Sequence, residues 1–225
     1  MVWIPQKQVW TQQPQYPRPV NQEVFPRADL LWNAAVPAFT SAGPKVASLT
    51  NARLVTKDGL AIYSGYVGLS AIIPSMYSTV WTEVGCVLPD SYELPMVSAR
   101  PDGQTVKFGG IYGPIDLVMW GVADVTISAG ALPIGVVNYA VRRNGSQYVA
   151  WINGKLYGSA THTMPPNAST GTLPAIGAQA ASGTNAGTGK LSATQGILAV
   201  GRTPIALPDA ACCELSRNPW KIFAP

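Results

Sequence analysis

YAVRRNGSQYVAWINGKLYGS, residues 139–159, decides the fold class. Two Asn-Gly pairs, Asn144-Gly145 and Asn153-Gly154, interrupt runs of aromatic and β-branched residues. Both pairs accept the positive backbone angles of a type I′ turn, whose twist suits antiparallel strands. The stretch predicts a three-strand β-meander. With Asn144-Gly145 as a two-residue loop, Val141 faces Tyr148, Tyr139 faces Ala150 and Val137 faces Ile152. The next turn sets Ala150 against Tyr157 and Trp151 against Leu156. Because side chains alternate, one face collects Val137, Tyr139, Val141, Tyr148, Ala150, Ile152 and Tyr157. The other collects Val149, Trp151 and Leu156, with Arg142 and Gln147 near its rim. Both faces carry apolar residues, so a second sheet is expected on one side. Something smaller, a loop or a neighbouring subunit, is expected on the other.

Further strand-like runs surround the meander at 60–67, 79–88, 96–100, 105–108, 117–127, 134–143, 147–152, 155–162, 173–178 and 196–200, punctuated by Gly and Pro turn signals. About ten short strands without helical crossovers fit an all-β jelly-roll sandwich of two antiparallel sheets. The small, polar stretch AASGTNAGTG (180–189) reads as an exposed or interface loop. One short helix is expected over 208–215, with Asp209 in its first turn and Asn218-Pro219 ending it. At about two turns it must dock, through Ala211 and Leu215, to persist.

Residues 1–45 are a different kind of chain. Seven prolines favour extended backbone there, and aromatics are interspersed among them. Disordered linkers are poor in aromatics, so this arm is expected to lie against a surface, its own domain's or a neighbour's. The division expected is an arm over 1–45 and a sandwich over 46–225, the latter including the helix and a docked tail. Trp3, Trp10, Tyr16, Phe25 and Trp32 are the candidate assembly contacts.

The chain has 225 residues, 47% of them hydrophobic and only 12% charged. An ordinary soluble domain carries about 25% charge, so the shortage favours assembly, here as a homo-oligomer. The net charge of +4 is scattered, and Arg142-Arg143, the one adjacent basic pair, points to opposite faces of a strand. That arrangement excludes a backbone-tracking nucleic-acid surface. Cys86, Cys212 and Cys213 are too few and odd in number for a disulfide framework. The single His162 and the adjacent Cys212-Cys213 do not make a zinc site, and no cofactor motif is present. The N-terminus lacks a continuous apolar core, so no signal peptide is expected, and no run of 18 apolar residues predicts a membrane span.

Three pieces, YVAWINGKLYGSA (148–160), GILAVGRTPIALPDAACCELSRNPWKIF (196–223) and WTQQPQYPRPVN (10–21), resemble the concanavalin A-like sandwich domains of the laminin-G type found in tailed-phage and prophage virion proteins. Pro208 stands where that pattern usually has a helix-capping serine. The resemblance implies a structural virion protein, assembled in the host cytoplasm as a homo-oligomer on the particle. A head-decorating trimer contacting the major capsid protein is one form, and another surface component is a second. The alternative is a receptor- or glycan-binding domain of a tail or fibre. Leu215 and Trp220 are expected to lock the carboxyl end by packing beneath it.

Catalysis has little support in the sequence. No Glu-x-Asp or Glu-x-Glu pair sets two acids side by side on a strand; the nearest acids are Asp90 and Glu93, and Asp116 and Asp124. His162 lies between two threonines without a nucleophile motif, and GTGKLS (187–192) lacks the Ser or Thr of a phosphate loop. The reading is therefore not an enzyme. For sugar binding, Trp81, Trp120, Trp151 and Tyr157 are aromatic surfaces at strand positions, with Trp120 and Trp151 the candidate glycan platform.

Overall fold

The computed structural model describes residues 13–56, 59–89, 94–99, 104–108, 115–119, 123–127, 130, 132–133, 135–163, 173–181, 184–188 and 195–225. Its strands are β1 (Leu30–Asn33), β2 (Thr40–Ala42), β3 (Val46–Thr56), β4 (Gly59–Leu69), β5 (Val80–Leu88) and β6 (Leu94–Pro95). They continue with β7 (Val97–Ser98), β8 (Thr105–Phe108), β9 (Ile115–Met119), β10 (Ala123–Ile127), β11 (Val137–Asn144) and β12 (Gln147–Ile152). The last are β13 (Lys155–Thr161), β14 (Ala175–Ile176), β15 (Gln179–Ala181), β16 (Thr184–Thr188) and β17 (Gly196–Thr203), followed by helix α1 (Asp209–Arg217). The main sheet has the order β13-β12-β11-β5-β17-β4-β14-β7, with β1, β2 and β3 attached, and a smaller sheet has the order β10-β9-β8-β6. All described pairings are antiparallel. This is the all-β sandwich expected, with a single C-terminal helix.

The meander forms, with two adjustments of register. Asn144 pairs with Gln147, so the loop is Gly145-Ser146, and Val141 faces Ala150 rather than Tyr148. The positive φ of 63° falls on Gly145, the first central residue, which is the glycine position of a type II′ rather than a type I′ turn. A shift of two in pairing leaves each side chain on its expected face. The second turn has positive φ at both Asn153 (49°) and Gly154 (79°), the type I′ pattern. An irregularity after Trp151↔Leu156 sets Ala150 against Gly158 rather than Tyr157.

Both faces of the main sheet are covered. Val137, Tyr139, Val141, Tyr148, Ala150 and Ile152 share one core with Phe108, Val125 and Ile127 of the smaller sheet. The rings of Phe108 and Tyr139 meet edge to face at 5.0 Å. Ala140, Val149 and Trp151 face a second core, completed by Cys212, Leu215, Trp220 and Phe25. The smaller covering on that side is thus the helix and the chain's own terminal segments. Leu156, expected on this face, is 66% exposed on the edge strand β13. A kink in β17 serves the two cores. Its register shifts between Ile197 and Ala199, so Ile197 and Val200 both reach the first core while Leu198 and Ala199 both reach the second.

Several expectations are corrected. The run 117–127 is a hairpin of β9 and β10 rather than one strand. The stretch 180–189 supplies most of a small ribbon, β15 against β16, because polar Thr and Asn side chains do not prevent local strand pairing. The stretch before residue 46 is not wholly an arm: β1 pairs with β17 along its length and is buried at every position. Apolar Leu30, Leu31 and Trp32 outweigh the neighbouring prolines there.

Candidate functional site

Residues 13–24 are held to the sandwich by amide side chains. Gln13 is buried; its Nε2 donates to Asn33 Oδ1 (3.0 Å) and to the Leu60 carbonyl (2.8 Å), while its Oε1 accepts from the Leu60 N–H (2.7 Å). Asn33 Nδ2 donates in turn to the Pro14 carbonyl at 2.7 Å. Pro14, Pro17 and Pro19 then keep the backbone extended. That extended run meets the carboxyl end of the chain. Val20 forms an antiparallel bridge with Phe223, Asn21 N–H donates to the Ile222 carbonyl (2.8 Å), and Ala224 N–H donates to the Pro19 carbonyl (2.9 Å).

The carboxyl segment is shaped by the helix stop. Helix α1 has no side-chain cap at Pro208, and Asn218 ends it by donating its N–H to the Glu214 carbonyl. The Asn218 side chain then accepts from Trp220 N–H (3.2 Å), with Pro219 opening a single 3-10 turn. Trp220 turns inward, stacks with Phe223 at 6.4 Å between ring centroids, and keeps 8% of its surface exposed. Leu215 is buried in the same core.

Between the two segments lies an open groove of about 640 Å³. Tyr16, Arg18 and Asn21 line it from one side, and Asn218, Trp220 and Lys221 from the other. Tyr16 is 57% exposed, with the Arg18 guanidinium 4.7 Å from its ring centroid. Arg18 donates to the Tyr16 hydroxyl and, at 3.1 Å, to the Ala224 carbonyl. Among the described residues, no Asp, Glu, His or Cys side chain lines the groove. Lys221 is held by Glu214, whose carboxyl it keeps below the usual range by hydrogen bond and charge. Chemically the groove offers one accessible aromatic ring, amide donors and acceptors, and two cations. It can hold a polar ligand by stacking and hydrogen bonding, and it supplies no paired carboxylates.

A second polar cluster is closed to ligands. Arg202 and Glu83, both fully buried, pair at 2.9 Å, and Tyr139 O–H donates to the other Glu83 oxygen at 2.9 Å. Gly85 leaves the room that this needs, since a Cβ there would lie 2.7 Å from the Tyr139 ring. Arg202 also donates from Nε to Ser75 Oγ (3.1 Å) and from Nη1 to the Gln104 carbonyl (3.1 Å), with the Trp81 ring 4.3 Å below its guanidinium. Asp29 accepts from Ser75 N–H (2.7 Å) and Ser75 O–H (2.9 Å). Burial pushes the Glu83 and Asp29 carboxyls up, against the pull of Arg202, and drives the Tyr139 hydroxyl well above its usual range. With no solvent access to Arg202, Glu83 or Tyr139, the cluster is a satisfied internal network.

The candidates from sequence are distributed as follows. Trp3, Trp10 and Trp120 lie outside the described residues. Phe25 and Trp32 are fully buried in the chain's own cores, with Trp32 Nε1 donating to the Pro37 carbonyl, so neither is free to contact a neighbour. Trp151 is 3% exposed beneath the Arg142 guanidinium and cannot serve as a platform, because α1 covers that face. Trp81 is likewise buried. Tyr157 is half-buried and donates its O–H to the Gly130 carbonyl at 2.7 Å. Tyr16 and Trp220 come together in the groove. Arg18, Asn21 and Lys221 were not singled out from sequence; the one signal for Arg18 was its place beside Tyr16 in a proline-braced run.

No protein-family model matches the chain, and no curated protein matches it in sequence. Solved structures do. Domain 4 of AbnA, a GH43 extracellular arabinanase from Geobacillus stearothermophilus, solved in complex with arabinotriose, aligns with TM-score 0.61 at 14% identity, covering 84% of this chain and 98% of that one. A Trypanosoma rangeli sialidase aligns with TM-score 0.61 at 11% identity, over 88% of this chain and 34% of the sialidase. The binding domain of botulinum neurotoxin DC, in complex with SialylT, aligns with TM-score 0.58 at 10% identity, over 85% of this chain and 51% of that one. At these identities the likeness shows a shared β-sandwich of jelly-roll type.

Proposed function

We propose that this chain is a non-catalytic glycan-binding module whose site is the groove between residues 13–24 and 218–225. The observation that carries this reading is the exposed Tyr16 ring in a groove walled by Asn21, Asn218, Arg18 and Lys221. A sugar presents an apolar ring face and a rim of hydroxyls. Tyr16 takes the first, and the amides and cations take the second. Buried Trp220 and the Asn218 bond fix one wall, and Gln13 fixes the other, so little side-chain order has to be created on binding. Two structurally similar domains were solved with oligosaccharides or sialyl ligands, as AbnA domain 4 with arabinotriose and the neurotoxin domain with SialylT, which supports the reading at the level of fold. The test is a glycan array followed by titration of the best ligand into the native chain and the Tyr16→Ala variant. Saturable binding that the variant loses while keeping its melting temperature is expected. Binding untouched by Tyr16→Ala would overturn the groove as the site.

A second reading, a homo-oligomeric surface component of a virion, rests on the 12% charged composition and the exposed Phe39 (59%) and Leu156 (66%). Native mass measurement tests it, and a monomer at micromolar concentration would count against it. The glycan module and the virion setting are compatible in a tail or fibre protein.

A further inference from the structure

Arg202 pairs with Glu83 and Arg142 pairs with Asp209, but Arg18 spends its described hydrogen bonds on two neutral oxygens, the Tyr16 hydroxyl and the Ala224 carbonyl. Its Nε, shielded from water, has no hydrogen-bond partner. A guanidinium has five N–H donors and stays charged at any ordinary pH. Among the described residues no Asp or Glu side chain lines the groove, and Arg18 makes no ion pair with the α-carboxylate of Pro225 that borders it, so its positive charge has no directly bonded carboxylate. Lys221 adds a second positive charge, tied only by an exposed contact to Glu214 that exchanges cheaply.

Glu23 and Glu214 line an adjoining apolar trough of about 410 Å³, which shares Val24 and Lys221 with the groove, and neither lines the groove itself. A neutral sugar would leave the Arg18 charge unanswered. An anionic substituent would answer it through charge-assisted hydrogen bonds, which are shorter and roughly twice as strong as neutral ones. The chain's net charge of +4 adds a long-range attraction of the same sign.

We infer that the groove selects acidic glycans, oligosaccharides carrying a carboxylate or a sulfate ester beside the ring that stacks on Tyr16. This rests on the glycan-binding reading above. The probes are galactotriose, trigalacturonate and a galactotriose bearing one sulfate ester, each titrated into the full chain by calorimetry at about 0.02 M and about 0.15 M salt. At the higher salt at least one anionic probe should bind about tenfold tighter than the neutral one, the factor that one charge-assisted contact supplies. Lowering the salt should widen that margin. Arg18→Gln should weaken the anionic probes about tenfold more than it weakens galactotriose, so that the preference is lost. Arg18→Lys should restore part of it, which separates charge from a merely structural role, and Tyr16→Ala should weaken all probes. The two anionic arms tell carboxylate from sulfate. Equal affinity for neutral and anionic probes, with no effect of Arg18→Gln, would overturn the acidic preference and leave glycan binding standing. Anionic binding indifferent to both Arg18→Gln and Tyr16→Ala would place it elsewhere and overturn the inference. No binding by any probe would overturn both.

Discussion

Two arginines in this molecule each lie over an aromatic ring, Arg202 over Trp81 at 4.3 Å and Arg18 over Tyr16 at 4.7 Å. Their surroundings are opposite. Arg202 sits inside the first core, where an unpaired charge would be prohibitive, and Glu83, Ser75 and Gln104 satisfy it. Arg18 sits at a surface groove, where water makes a missing carboxylate tolerable and leaves its charge available. The same guanidinium-on-ring contact thus fixes the interior in one place and leaves an exposed charge beside an exposed ring in the other. Solvent access decides which.

The comparison breaks most sharply if the buried pair carries no stability. Arg202→Met should cost about 3–5 kcal/mol, because it strands Glu83 in a dry core. Urea denaturation measures this, and an unchanged midpoint would show the network to be incidental. The sign with pH is also fixed. Burial already raises the Glu83 carboxyl, and losing Arg202 removes the main opposing influence. A carboxyl raised in the folded state favours folding at low pH and loses that contribution as pH rises through its folded value. The variant should therefore lie nearer to the native chain at about pH 5 than at about pH 8.

Next in size is Trp220→Ala. Deleting a buried indole costs roughly 3–5 kcal/mol, with the lower end expected here because one edge of the ring lines the groove. This variant should lose thermal stability and ligand together. A melting temperature left unchanged would make the carboxyl segment an appendage. At the open end of the comparison, Tyr16→Ala should shift stability by no more than about 0.5 kcal/mol, since more than half of the ring is exposed, while removing binding. A large loss of stability would mean that Tyr16 belongs with the structural aromatics.

The smallest effect concerns the thiols of the second core. Burial pushes the Cys212 thiol up to about 12, so very little thiolate forms there at pH 8. Half-buried Cys213, whose Sγ–H reaches the Gly154 carbonyl at 3.0 Å, should alkylate first in the native chain, with Cys86 and Cys212 reacting only on denaturation. Equal native rates for all three would show that α1 lifts freely from the sheet.

The fold was legible because the meander states it locally. Two Asn-Gly turns and alternating apolar residues set both faces of β11 and β12, even with the first loop misplaced by one residue. The buried network was half legible. Glu83 and Arg202 are opposite charges, each alone in an apolar run, VWTEVGCVL and GILAVGRT, a pattern that demands a partner without saying which. Ending the last strand at Val200 hid Arg202 from that search. The groove was least legible. Its walls are some 200 residues apart in sequence, as Asn21 and Lys221 are, and no local period joins them. Aromatic strand residues such as Trp151 looked like better platforms because alternation alone cannot tell that a helix will cover one face.

That separation also sets a timetable. A chain leaving the ribosome from its N-terminal end exposes the segment from Tyr16 to Asn21 well before residues 218–224, which follow every strand of the sandwich. The bridge from Val20 to Phe223 and the bonds beside it can close only when residues 222–224 are free to dock. A nascent or prematurely stopped product that ends at Arg217 can carry every strand and helix α1 and still have no groove. Residues 218–224 therefore complete the groove without completing the sandwich, a distinction that the melting of the sandwich alone would blur.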